Sequence, residues 1–290
     1  DCSSFNKSLM GDMSSATNTP ETDSLYRIAL GLEYDGSAYN GWQMQPHAPS
    51  IQASLAEAAS VVAAESVAVV GAGRTDTGVH ATMQVAHFDT HALRDPESWR
   101  RGINSNLPAD INVHWVRAVP DTFHARFTAV SRAYRYLVLN RVSGSALDRQ
   151  RAWWVRAPLD LMRMQEAAAH LLGKHDFNAF RASSCQSNSP VRTILELSLR
   201  QDASCITLDV RGDAFLHHMI RNIMGTLVKV GAGNAPPDWV AELLAMRDRK
   251  LSGITAPPHG LYFVDVVYPE EFDLPSSAAS VSPLTGDLLF

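Results

Sequence analysis

The chain has 290 residues, 46% of them hydrophobic and 19% charged, with a formal net charge of −5. That supplies enough apolar side chain for a full core and two subdomains of ordinary size, while no apolar run approaches the about 20 residues that a membrane-crossing helix needs. Cys2, Cys185 and Cys205 are odd in number and widely scattered, which excludes a disulfide framework and a thiolate zinc site and leaves them as reduced, structural thiols.

Residues 1–24 carry a net charge of −3. They have neither a basic start nor an apolar h-region, so they read as a disordered extension and a cytoplasmic protein is expected. RIALGLEYD (27–35) alternates Ile28, Leu30 and Leu32 with smaller neighbours and predicts a strand ending in a turn at Asp35–Gly36. SIQASLAEAASVVAA (50–64) predicts a helix with Ser50 as N-cap and Ile51, Leu55, Ala58, Ala59 and Val62 on one face. SVAVV (66–70) predicts a second strand, running into the glycine-rich GAGRTDTGVHA (71–81). MQVAHFDTH (83–91) is a third strand, with Val85, His87, Asp89 and His91 on one face. PESWRRGINSNL (96–107) suits a helix capped by Asp95, followed by the strand INVHWVRAV (111–119).

Between positions 94 and 163 stand twelve arginines, no lysine and six acidic residues. This basic stretch predicts a phosphate-binding surface, since the guanidinium fork grips phosphate oxygens two at a time. RAYRYLVLN (132–140) alternates as a strand, and LDLMRMQEAAAHLLG (159–173) is an amphipathic helix closed by Gly173. TILELSLRQDASCITLDVRGD (193–213) reads as two strands about a polar turn. FLHHMIRNIMGTLVKVG (215–231) and PPDWVAELLAMRDRK (236–250) predict helices, and LYFVDVVY (261–268) a last strand. In RQRAWWVRAP one of Trp153 and Trp154 should pack and the other face out. Strands joined by hairpins and helical excursions indicate an α+β fold with helices on one side of a largely antiparallel sheet.

The glycine loop is the candidate for chemistry. An aspartate on a loop at a strand end is where scaffolds commonly offer catalytic groups, and the guanidinium of Arg74 two residues away would keep Asp76 charged, as a nucleophile or base requires. The loop lacks the Gly-Lys-Ser/Thr ending of a phosphate loop, and a tight turn with a local Arg–Asp pair explains it as well. His80, His87, Asp89 and His91 suggest a set of metal ligands, although alternate histidines on a strand suit ordinary polar residues or RNA contacts better. His217 and His218 are adjacent on a predicted helix and should point in different directions. Tyr34, Tyr39 and Trp42 could stack on RNA or pack in the core.

YDGSAYNGWQ (34–43), GAGRTDTGVHA (71–81), FHARFTAVSRAYRYLV (123–138), FRASSCQSNSPVRTI (180–194) and AFLHHMIRNIMGTLVKVG (214–231) occur together and in order. In these segments the chain resembles the tRNA pseudouridine synthase A family, over residues 26–269. The resemblance implies the pseudouridine synthase fold: two similar α+β halves around a central, largely antiparallel sheet, here 25–125 with the aspartate loop and 126–269, followed by a tail at 270–290. It implies isomerisation of uridine to pseudouridine at positions 38, 39 and 40 in the anticodon stem-loop of tRNA. Asp76 matches the family's catalytic aspartate, Arg74 the arginine of its loop, Tyr134 the tyrosine that stacks on the target base, and Arg221 a basic partner from the late helix. No cofactor or metal is implied, and a homodimer is. On this reading the loop glycines leave room for a flipped nucleotide, and Tyr134 offers a hydroxyl for proton removal at C5. The alternatives are a non-catalytic RNA-binding module on the same fold and a metal-dependent hydrolase using the strand histidines.

Overall fold

The structure, a computed structural model, describes residues 24–275. The expected disordered extension, Cys2 and most of the acidic tail lie outside the described residues. Among the described residues ten strands form one sheet: β1 (Tyr26–Tyr34), β2 (Val70–Gly71), β3 (His80–Thr90), β4 (Ile111–Val119), β5 (Ser131–Asn140), β6 (Trp153–Val155), β7 (Gly173–Asp176), β8 (Val191–Asp202), β9 (Cys205–Gly212) and β10 (Leu261–Val267). The order is β4-β1-β3-β10-β5-β9-β8-β7, with β2 on β3 and β6 on β5. All pairs are antiparallel except β10 with β3 and β6 with β5, as an α+β sheet requires. The helices are α1 (Ile51–Ala63), α2 (Pro96–Asn106), α3 (Leu161–Ala169), α4 (Met219–Gly231) and α5 (Trp239–Met246).

The local signals act where their chemistry places them. The Ser50 hydroxyl accepts from the Ala53 N–H to start α1, and Asp95 accepts from the Ser98 N–H with Pro96 in the first turn of α2, each satisfying a helix N–H that has no partner within the helix. On β5, Tyr134, Tyr136 and Val138 point into the main core while Ala133 lies in a small cluster with Tyr262 and Val264. Arg135 shares the alternation with Ala133: it is 1% exposed and bonded through Nε (2.6 Å) and Nη2 (3.1 Å) to the carboxylate of Asp209, its cross-strand partner on β9. Arg200 donates to the same carboxylate. Cys185 and Cys205 are free thiols. Trp153 packs against the core and Trp154 is exposed.

Several expected elements are shorter than their patterns, among them the helix expected at 236–250, which spans only Trp239–Met246. The strand 66–70 pairs only at Val70–Gly71, because β3 divides its second edge: His80 and Ala81 pair with β10, and Ala86 and His87 with β2. Helix α3 ends at Ala169 and Gly173, at φ +90, instead begins β7. The helix expected from Phe215 begins only at Met219.

Candidate active site

The loop 71–79 leaves the sheet in the gap between β2 and β10. Its first residues are still held to β3: the Ala72 N–H donates to the Val85 carbonyl (2.8 Å), and the buried Gln84 amide donates to the Gly73 carbonyl (2.8 Å). The rest is gripped by the segment after β1. The Trp42 N–H donates to the Thr75 carbonyl (3.0 Å), and the Tyr34 hydroxyl and Thr75 Oγ1 are 2.9 Å apart. Gly41 lies at φ +87, and a Cβ there would fall 2.5 Å from the Thr75 carbonyl oxygen. Only glycine fits such a backbone-to-backbone approach. Tyr34, Tyr39 and Trp42 are buried, so they serve as struts of this loop and not as RNA platforms. At Gly71 a Cβ would meet the Trp42 ring at 2.5 Å. There the missing side chain makes room for the protein's own indole, and not for a nucleotide as the sequence suggested.

Asp76 is met by the start of α4. Arg221, in the first turn, donates from Nη1 to Asp76 Oδ2 (2.9 Å) and from Nε to the Ala256 carbonyl (2.8 Å), which fixes the plane of its guanidinium. His217 Nε2 lies 3.3 Å from Oδ1 and His218 Nε2 3.4 Å from Oδ2. His218 occupies the N-cap position of α4 at φ 62 with no side-chain capping bond. That left-handed residue turns the chain so that both imidazoles, expected to diverge on a helix, converge on one carboxylate. His217 Nδ1 is 3.2 Å from Ser184 Oγ. Burial lowers the pKa of His218, which Asp76 opposes by raising it. Asp76 therefore faces a guanidinium, two imidazoles and the first turn of a helix.

The carboxylate sits on the wall of a cleft of 1320 Å³, above the roughly 300–1,000 Å³ typical of a site for one small ligand. Five arginines line it, Arg74, Arg126, Arg132, Arg192 and Arg221, against the single carboxylate of Asp76. Tyr134 lies in the wall, its ring meeting Phe263 (4.8 Å) and Phe215 (5.1 Å) edge to face. Burial pushes its hydroxyl pKa well above the usual tyrosine value. Arg74 is exposed at the mouth, and the expected local pair with Asp76 gives way to the long-range pair with Arg221. Thus Asp76, Arg74, Tyr134 and Arg221 all line one cleft, and His217 and His218 join them.

The arginine-rich segment does not form one surface. Arg100 and Arg101 are paired with Glu97, Arg135 is buried, and of the twelve only Arg126 and Arg132 reach the cleft. The strand histidines do not assemble either. The ring of His80 is stacked on Tyr262, with Nδ1 accepting from the Gly36 N–H; His87 Nδ1 accepts from the Ala125 N–H; Asp89 pairs with Arg27. Among the described residues the one group with ligand atoms close enough to share a cation is Asp76, His217 and His218, within 4.8 Å of one another. Arg221 already occupies one oxygen of that carboxylate.

The chain belongs to the tRNA pseudouridine synthase family, which it matches over residues 32–128 and 167–269. Both stretches contribute to the cleft, the first with Asp76 and the second with Arg221, while Arg132 and Tyr134 of its lining fall between them. Among curated relatives, a protein named tRNA pseudouridine synthase A from Methylococcus capsulatus is 52% identical over 252 residues, covering 87% of this chain and 93% of the relative. One of the same name from Pseudomonas aeruginosa is 52% identical over 250 residues, covering 86% and 88%. Another, from Salmonella typhimurium, is 49% identical over 255 residues, covering 88% and 94%.

Proposed function

We propose that the protein isomerises uridine to pseudouridine at positions 38, 39 and 40 of the anticodon stem-loop of tRNA, with Asp76 as the reacting carboxylate. The observation that carries this is the arrangement of Asp76: the one carboxylate, held by Arg221, in a cleft of 1320 Å³ that also presents five arginines. The isomerisation breaks the N1–C1′ bond, leaving the electron pair on the uracil. Asp76 either adds to C1′ or takes the C2′ proton to give a glycal. The uracil turns and C5 bonds to C1′, displacing the Asp76 carboxylate on the first route or with Asp76 returning its proton to C2′ on the second; the C5 proton then leaves and N1 gains one, so protons balance without a redox partner. The base is retained, so no second carboxylate is needed to activate water.

In this reading Arg221 orients the Asp76 carboxylate, Tyr134 supplies a flat face for the uracil, and Arg74 meets the RNA at the mouth. The target nucleotide must leave its stack first, at a cost of a few kcal/mol, which contacts between cleft arginines and phosphates offset. The protein works in the cytoplasm as a homodimer without metal or cofactor, its two halves meeting near residue 125. Family membership supports the activity, and the absence of any membrane-length apolar helix among the described residues is compatible with that location.

The test is tritium release from tRNA labelled with [5-³H]uridine, by the wild type and by Asp76→Ala, with EDTA present. Release by the wild type and none by a variant that still binds tRNA is expected. Binding without release by either protein would refute the synthase reading in favour of a non-catalytic RNA-binding module.

A further inference from the structure

One wall of the cleft carries an aromatic side chain that the reaction at Asp76 does not use. Phe127 is 74% exposed, yet its presentation is rigid. Its ring is stacked on the imidazole of His124, with centroids 4.3 Å apart and planes at 28°. The backbone N–H groups of Arg126 and Phe127 both donate to His124 Nδ1 (3.2 Å each). The turn is closed by Thr128, whose N–H (3.0 Å) and hydroxyl (2.7 Å) donate to the His124 carbonyl. A large apolar ring displayed to water on so heavily bonded a turn suits a flat partner that arrives from outside, because little conformational entropy remains to be lost when the partner binds.

The charge around it identifies the partner. Arg126 is exposed, lies over the Phe127 ring at 5.5 Å, and has no carboxylate in ion-pair range among the described residues. Arg132 is half-buried and donates to the carbonyls of Ala129, Asp213, Ala72 and Arg126, with no carboxylate among its partners. Two uncompensated guanidinium groups beside an exposed aromatic face match a nucleic-acid strand, with phosphates on the arginines and a base on the ring. A second protein chain would need carboxylates or an apolar patch there instead.

We propose that Phe127 is a stacking shelf for a nucleobase flanking the target uridine, a second base subsite that holds the RNA strand open while the uridine is at Asp76. The proposal rests on the RNA-modifying reading of the cleft. Stacking on such a platform predicts that Phe127→Ala binds the anticodon stem-loop about 10- to 100-fold more weakly. Phe127→Leu, apolar but not flat, should behave like alanine, and Phe127→Tyr should restore wild-type affinity. The slope of log K against log salt should stay unchanged in Phe127→Ala, since no phosphate contact is lost, while Arg126→Ala should reduce it by about one.

The experiment is a fluorescence titration of stem-loops carrying 2-aminopurine on either side of the target, with melting temperatures of all variants and wild-type tritium release run alongside. Quenching at one flanking position by the wild type and Phe127→Tyr, lost in Phe127→Leu, is expected. Equal affinity and quenching in Phe127→Leu, or unchanged binding in Phe127→Ala, would overturn the shelf even with the synthase activity intact. Failure of the wild type to release tritium would instead count against the reading beneath it.

Discussion

Gly41 and Gly233 have nearly the same backbone angle, φ +87 and +78, in very different surroundings. A Cβ at Gly41 would stand 2.5 Å from the Thr75 carbonyl oxygen and 3.0 Å from the Asp76 carbonyl carbon, whereas at Gly233 nothing lies within 4 Å. Both alanine variants incur the left-handed penalty of about 1–2 kcal/mol. Only Gly41→Ala must also push the Thr75–Asp76 backbone away, by roughly 0.5–1 Å to regain an ordinary contact, and displacements of that size at a reacting group cost up to about 100-fold in rate. Gly233→Ala should therefore lower the melting temperature by a few degrees, about 2–4 °C per kcal/mol at this size, and leave turnover at wild-type level. Gly41→Ala should lower the melting temperature further and cut single-turnover tritium release about 10- to 100-fold. Equal turnover in the two variants would refute the claim that Gly41 sets the position of Asp76.

Arg221→Gln removes a charge-assisted bond to Asp76 of the kind that contributes about 1.5–3 kcal/mol, so single-turnover release should slow about 10- to 100-fold, and an unchanged rate would sink its orienting role. Asp209→Ala removes the buried carboxylate that Arg135 and Arg200 share and should cost about 3–5 kcal/mol in urea unfolding; a loss below 1 kcal/mol would show that this carboxylate is not what holds the two arginines. His87 has its pKa lowered to about 4, chiefly by burial, with His124 and Arg27 adding to the effect. The unfolded chain therefore takes up a proton below about pH 6.5 that the native state refuses until about pH 4, and stability falls with pH across that window by about 3 kcal/mol. Unfolding measured from pH 7 to 4 should show that fall, and His87→Asn should make it shallower, while His80, His124, His218 and His259, whose pKa values burial also lowers, keep their share.

The parts of the molecule governed by local chemistry were legible in the sequence. The caps at Ser50 and Asp95 and the β8–β9 hairpin are short-range effects, and the aspartate loop stood out through its glycines. What the sequence hid depended on long-range neighbours or on backbone state. Nothing around His218 signals a left-handed residue, so His217 and His218 read as a diverging pair. A lone motif cannot say whether Trp42 meets RNA or fills the space beside Gly71. Arg74 looked like the partner of Asp76 because it is two residues away, while Arg221, 145 residues distant, is the group that reaches the carboxylate. The arginine count between 94 and 163 overstated the basic surface because the segment alone cannot show that Asp209, 74 residues from Arg135, neutralises one of them, or that only Arg126 and Arg132 reach the cleft.

The position of β10 in the sheet has a consequence for the birth of the molecule on the ribosome. The strand is nearly the last described segment of the chain, yet it lies between β3 and β5 and joins Tyr262 to His80 across the middle of the sheet. Until residues 261–267 have emerged and docked, the nascent protein has two unpaired strand edges and an unfinished wall beside the aspartate loop. Contacts so distant along the chain form slowly, and exposed edges invite pairing with other chains. The whole span from β4 to β7 is thus locked only once residues 261–267 are available to dock, and the cleft is completed in the same event.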